Sequence, residues 1–227
     1  ALRCRYCACY GAAAVDAIRA SQRGDVCAGA ASARNGLTHA VKPGARTMTI
    51  NLPGHNSPGG SFEVPLEMLS ACHQRVDKQC STLRRLVVHL AKNGADNDAR
   101  QAATAVMRYF DTAAKDHHAD EEVDLFPALI ESMAGSDAVC IREMVDALTL
   151  DHRALESHWL ALRQVLQDIE AGQTPSSFDV EPFITLYERH IAREESELLP
   201  MAARLLSDDA LQDIGRAMRL RRGITTV

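Results

Sequence analysis

Between residues 66 and 90 the apolar positions fall at alternating spacings of three and four: Leu66, Leu69, His73, Val76, Cys80, Leu83, Val87 and Leu90. That spacing holds one stripe on one face of an α-helix and predicts a bundle helix, with Lys92 in its last turn and Asn93-Gly94 as its stop. A second helix is predicted from near Asp98, its buried stripe being Val106, Phe110, Ala113, His117, Glu121, Leu125 and Ala128. Starting the stripe from His118 would place Asp111 and Lys115 inside. His117 and Glu121 are therefore the inward pair, and His118 and Glu122 are expected behind the seam or facing solvent. Pro127 is expected to kink or tighten this helix. Gly135-Ser136-Asp137 makes a break in which Ser136 or Asp137 offers an N-cap. The third stripe reads Ile141, Val145, Leu148, His152, Leu155, Trp159, Leu162, Leu166 and Ile169, followed by a loop from Gly172 to Ser177. The fourth reads Phe183, Tyr187, His190, Glu194, Leu198, Met201 and Leu205. Ser207-Asp208-Asp209 starts a short fifth helix with Leu211, Ile214 and Met218 on one face and Arg219, Arg221 and Arg222 at its far end, a charge order that suits the helix dipole. Residues 48–64, with Pro53, Gly54, Pro58, Gly59 and Gly60, form a lead-in without periodicity. Helices of similar length joined by short connections fold most simply as an all-α, antiparallel four-helix bundle over residues 65–223, with the short fifth helix at its C-terminal end.

Two stretches share one gapless template. His117 to Pro127 and His190 to Pro200 both read H-x-x-x-E-E-x-x-L-(F/L)-P. On a helix, residues i and i+4 lie one turn apart on the same face, so each copy aims an imidazole and a carboxylate at one spot. Such groups are costly to bury unless something satisfies them, and a divalent or trivalent metal does. His73 and His152 fill core slots of the other two stripes, so each of the four seams carries a histidine. A lone core histidine is ordinarily hydrogen-bonded and inert. Four of them, two with an i+4 glutamate in a repeated frame, point instead to a metal centre. Glu156 lies one turn beyond His152, about 40° round the axis, and can face the same point. His39, His55, His89 and His158 fall in loops or off the seams and read as surface residues.

Composition adds exclusions. The chain has 227 residues and a net charge of −5, but the first 47 residues carry +5 and the remainder −10. An acidic body argues against a nucleic-acid groove or an anionic membrane surface as partner, and no run approaches the roughly 18 apolar residues of a membrane span. Of seven cysteines, Cys4, Cys7, Cys9 and Cys27 crowd the start and Cys72, Cys80 and Cys140 are scattered. An odd number without regular spacing is not a disulfide framework. Cys4-x-x-Cys7-x-Cys9 could be half of a zinc site, but no second pair follows at finger spacing. The first stretch lacks the apolar region of a secretory signal. Composition becomes ordinary from Met48, so residues 1–47 are expected to be a non-native or disordered N-terminal extension.

The order His-x-x-x-Glu differs from the Glu-x-x-His of ferritin-like di-iron helices. On His73, His117-x-x-x-Glu121, His152 and His190-x-x-x-Glu194, the chain from about Ser61 to Gly223 resembles hemerythrin-like proteins of the HHE cation-binding type. The resemblance implies a non-haem di-iron centre inside the bundle, with Glu121 and Glu194 bridging two irons beside an oxo or hydroxo group and the four histidines as terminal ligands. Two departures separate the chain from oxygen-carrying hemerythrins. Those resemble H-x-x-x-H on the third helix, where this chain has His152-x-x-x-Glu156, and they carry an Asp five residues after the histidine of the fourth, where this chain has His190-x-x-x-Glu194. Hard carboxylate ligands favour higher-valent iron and count against reversible oxygen carriage. Glu156 is either a third carboxylate ligand or a hydrogen-bond partner. Three functional classes stay open: a cytoplasmic protein that binds or responds to dioxygen, peroxide or nitric oxide, or handles iron; a di-iron oxidoreductase such as a peroxidase, oxidase or nitric oxide reductase; and a bundle whose metal, with zinc or manganese as other occupants, only supports the fold.

Overall fold

The computed structural model describes residues 60–133 and 138–225, and these are helical with no strand among them. The expected N-terminal extension, most of the lead-in and the break at Gly135-Ser136-Asp137 lie outside the described residues. Helix α1, Pro65–Asn93, begins on a proline, whose missing N–H has no partner to lose at a helix start. It stops at Gly94, whose φ of 68° suits a residue without Cβ and whose N–H reaches the Leu90 carbonyl at 3.0 Å. Helix α2, Asn97–Asp111, is capped by the Asp96 carboxylate, which accepts the Ala99 N–H at 2.9 Å.

The second bundle helix is not continuous. At Thr112 (φ −126°, ψ −84°) the ladder breaks, and the hydroxyl donates to the Arg108 carbonyl at 2.7 Å. Helix α3, Ala113–Ala119, resumes with its stripe rotated, so that Ala114 is buried and Ala113, expected inside, is only half-buried. A π turn, Asp120–Leu125, follows, and then α4, Phe126–Ser132. Helix α5 runs Ala138–Glu170. The fourth bundle helix repeats the second: α6, Glu181–Arg193; a second π turn, Glu194–Leu198; and α7, Leu199–Leu205. Helix α8, Asp208–Arg221, starts at Ser207, whose hydroxyl accepts the Ala210 N–H at 3.2 Å.

Packing closes a ring, with α1 against α2, α2 against α5, α5 against α6 and α6 against α1. The core is in two parts. One contains Val76 to Leu90, Ala99 to Ala114, Leu155 to Ile169 and Val180 to Ile191; the other contains Met68 to Cys72, Leu125 to Leu129, Ile141 to Leu148 and Leu198 to Leu206, with Ile214 and Met218 of α8. The order of the two parts reverses from each bundle helix to the next, which is what antiparallel packing requires. Between them, on every bundle helix, lie the residues of a polar layer: His73, His117, Glu121, His152, His190 and Glu194, each at most 2% exposed.

Helix α8 fastens this layer from outside. Asp120, fully buried, takes Arg222 at 2.6 Å and also pairs with Arg221, which reaches Asp124 at 2.7 Å. Burial pushes the Asp120 carboxyl above its usual range in spite of both guanidiniums. The cluster thus contributes position for the turn carrying Glu121 more than net stability, as buried ion pairs commonly do. Gly215 lets the chain ahead of α1 cross α8 closely, because a Cβ there would lie 2.0 Å from the Phe62 carbonyl oxygen.

Candidate metal centre

Both copies of the repeated template build the same local structure, and the proline at the end of each explains it. In an α-helix the ring of Pro127 would strike the carbonyl of Val123 and leave it without a donor; Pro200 would do the same to Ser196. The helix instead widens by one residue ahead of each proline, so that the Phe126 N–H bonds the Glu121 carbonyl and the Leu199 N–H bonds the Glu194 carbonyl, five residues back in each case. Pro127 therefore does not tighten the helix after the polar layer; the turn from Asp120 to Leu125 ahead of it is widened. Helix α5 has no such proline and stays α-helical through His152 and Glu156. Glu156 is exposed there and stands outside the converging donors.

The six buried residues meet as two matching halves. His73 and His117 pack edge to face with ring centroids 4.9 Å apart, and His152 and His190 do the same at 4.7 Å. Each glutamate offers one oxygen to each half. Glu121 places Oε1 3.4 Å from His117 Nε2 and Oε2 3.3 Å from His152 Nε2; Glu194 places Oε1 3.2 Å from His190 Nε2 and Oε2 3.0 Å from His73 Nε2. Donor atoms of His73, His117, Glu121 and Glu194 lie within 4.8 Å of one another, and so do those of Glu121, His152, His190 and Glu194.

Close as these atoms are, His152 Nε2 and His190 Nε2, 3.1 Å apart, are the pair among them that forms a hydrogen bond. Both oxygens of Glu121, both of Glu194 and the Nε2 of His73 are buried without a hydrogen-bond partner. Each such group costs about 1–3 kcal/mol if nothing fills its valence. Electrostatics point the same way. Burial and the facing Glu194 push the Glu121 carboxyl up to about 7. Burial drives His190 down to about 4 and holds His117 well below the ordinary histidine range, the latter also repelled by its neighbouring imidazoles. Burial would lower His73 as well, but Glu194 and Glu195 outweigh it and raise it to about 10. The carboxylates of Glu121 and Glu194 draw cations and His117 and His190, kept neutral by burial, offer lone pairs, whereas His73 and His152, raised by the glutamates facing them, must give up a proton to ligate; the residues present fit bound metal.

The second glutamate of each doublet holds a ring from behind, a place that phase left open for Glu122, expected behind the seam or facing solvent, and did not assign to Glu195. His73 Nδ1 donates to Glu195 at 2.5 Å, and His152 Nδ1 donates to Glu122 at 2.8 Å; Glu122 is held in turn by Arg153 and Glu195 by the Ser70 hydroxyl. Each bond fixes the tautomer that turns an Nε2 lone pair inward. The doubling of Glu in both copies was the sequence signal. Glu122→Ala and Glu195→Ala are accordingly expected to weaken metal affinity about 10- to 100-fold while retaining metal at excess, measured by competition with a chelator. Affinities unchanged in both variants would show that these bonds do not orient the rings.

His118, expected behind the seam or facing solvent, has its ring stacked on that of His152, 4.0 Å between centroids and 13° between planes. Its Nε2 is buried without a partner, and burial with repulsion from His152 and His190 keeps the ring well below the ordinary histidine range. A cavity of about 260 Å³ reaches this spot from the surface, lined among others by Phe110, His118, Val123, His152, Trp159 and Tyr187, with Glu156 on its wall.

Two comparisons bear on this geometry. The family model described as the Hemerythrin HHE cation binding domain matches residues 64–202. An uncharacterized protein of Haemophilus influenzae is 36% identical over 166 residues, covering 72% of this chain and 93% of that protein. No helix among the described residues is long and apolar enough to cross a membrane.

Proposed function

The chain belongs to the hemerythrin HHE cation-binding domain family, and from that premise we propose that it is a non-haem di-iron protein whose centre binds or responds to dioxygen, peroxide or nitric oxide. The observation that carries this reading is the sharing of both glutamates between two histidine pairs. A carboxylate that offers one oxygen to each of two imidazole pairs would suit a site for two ions. His73 and His117 would hold one ion, His152 and His190 the other, and Glu121 and Glu194 both. Bound iron would supply Lewis acidity and redox capacity to a small ligand.

The chain's own residues do the rest. Glu122 and Glu195 hold two of the rings in register, Glu121 and Glu194 supply the negative charge that retains cations, and the apolar layers on either side exclude water. The cavity ending at His118 and His152 favours a centre that admits a small ligand over a metal that only supports the fold. An oxidoreductase using the same residues is the second reading, supported by the same access.

Metal analysis of protein produced in iron-replete medium tests the proposal. About two irons per chain are expected for a paired site; a single zinc per chain would overturn it. Reaction of the reduced, iron-loaded protein with dioxygen, peroxide or nitric oxide then separates binding, with one ligand taken up per centre, from repeated turnover.

A further inference from the structure

The two halves of the polar layer have the same donors, but the two template copies differ beside them. The residue after the first histidine of the template is His118 in the first copy and Ile191 in the second. Ile191 is a buried member of the apolar core. His118 lines the cavity and carries a buried nitrogen with no partner. A polar atom withheld from both water and protein is expensive to keep and calls for a ligand.

Two roles are open to that nitrogen. One nitrogen each of His118, His152 and His190 lies within 4.8 Å of the others, so His118 could be a third imidazole on the ion held by His152 and His190. The stacking of the rings decides against it. An imidazole binds through a lone pair in its own plane. With planes 13° apart and centroids separated by 4.0 Å, the in-plane lone pairs of His152 and His118 lie in separate, nearly parallel planes and would not converge on one ion. His118 and His152 both line the cavity, side by side.

We propose that His118 is the positioning residue for the small ligand of the centre: its Nε2–H donates a hydrogen bond to an anion or diatomic lodged between the cavity and the metal position of His152 and His190. The inference rests on the two-ion reading above. It makes the two positions unequal. The small ligand is taken up beside His152 and His190, while the position of His73 and His117, with Ile191 in place of a donor, is not the one that receives it.

Azide, a small anion, serves as the probe, titrated into the iron-loaded protein and followed by its absorption change, with iron counted in each sample. His118→Phe keeps a ring to stack on His152 but has no nitrogen, and His118→Leu is a second way of removing the donor. His118→Gln restores an N–H. Both removal variants are expected to keep two irons per chain and to bind azide about tenfold more weakly, which corresponds to about 1.4 kcal/mol. His118→Gln is expected to stay within about threefold of wild type, as a retained hydrogen bond would allow. Loss of an iron from the removal variants would make His118 a ligand and overturn the proposal, as would azide affinity unchanged from wild type. A wild-type protein with two irons and no azide binding overturns it too. Fewer than two irons in the wild type overturns the two-ion reading, and this inference with it.

Discussion

Stripping the metal from the loaded protein is expected to lower its melting temperature by about 10 °C or more. The polar layer cuts the apolar core in two, and in the metal-free protein it leaves both oxygens of Glu121 and Glu194 and the Nε2 of His73 buried and unpartnered. A ligand that binds only the folded chain adds about 4 kcal/mol at a free concentration roughly 1,000 times its dissociation constant. A domain of this size moves by about 2–4 °C per kcal/mol. Thermal melting of chelator-treated and iron-reconstituted protein, followed by helical circular dichroism, measures the difference directly. Coincident curves would mean that the layer is an inert set of core polar groups, and the metal reading would lose its thermodynamic support. Because ligation requires neutral imidazoles, iron is also expected to leave as the solution is acidified through the histidine range.

Removing one shared glutamate is expected to cost more metal than removing one histidine. Glu121→Ala and Glu194→Ala each withdraw an oxygen from both halves of the layer and one of its two negative charges. His73→Ala withdraws a single nitrogen from one half. The glutamate variants should therefore retain essentially no iron after gel filtration, whereas His73→Ala should keep about one iron per chain, as two-metal sites with bridging carboxylates imply. Melting curves of all three variants without metal control for folding. If a glutamate variant kept as much iron as His73→Ala, the carboxylates would not be shared, and the two ions would have to be held independently.

Much of this protein is written in local periodicity. Alternating spacings of three and four placed the bundle helices, and a repeated His-x-x-x-Glu placed an imidazole and a carboxylate one turn apart, because both depend only on the 3.6-residue turn. That the described residues are helical and that His73, His117, Glu121, His152, His190 and Glu194 converge were legible for that reason.

What escaped the pattern involves either a fault in the helix or a neighbour from elsewhere in the chain. The break at Thr112 and the widened turns ahead of Pro127 and Pro200 change the helical phase, and a stripe counted at constant pitch runs through them unaltered. Ala114 is therefore buried where Ala113 was expected, and Asp120, which no apolar stripe would admit, is fully buried. Asp120 is tolerated only because α8 brings Arg221 and Arg222 to it across some hundred residues of chain. Glu156 has the same spacing from His152 as Glu121 has from His117, yet it is exposed, on the wall of the cavity and outside the layer. His118 was left by phase behind the seam or facing solvent, and contact decides between them, its ring stacking on one supplied by another helix. A helix's own repeat specifies which way a side chain leaves the axis; what that side chain meets, and whether a buried charge or nitrogen there can be borne, is settled only when the other helices are in place.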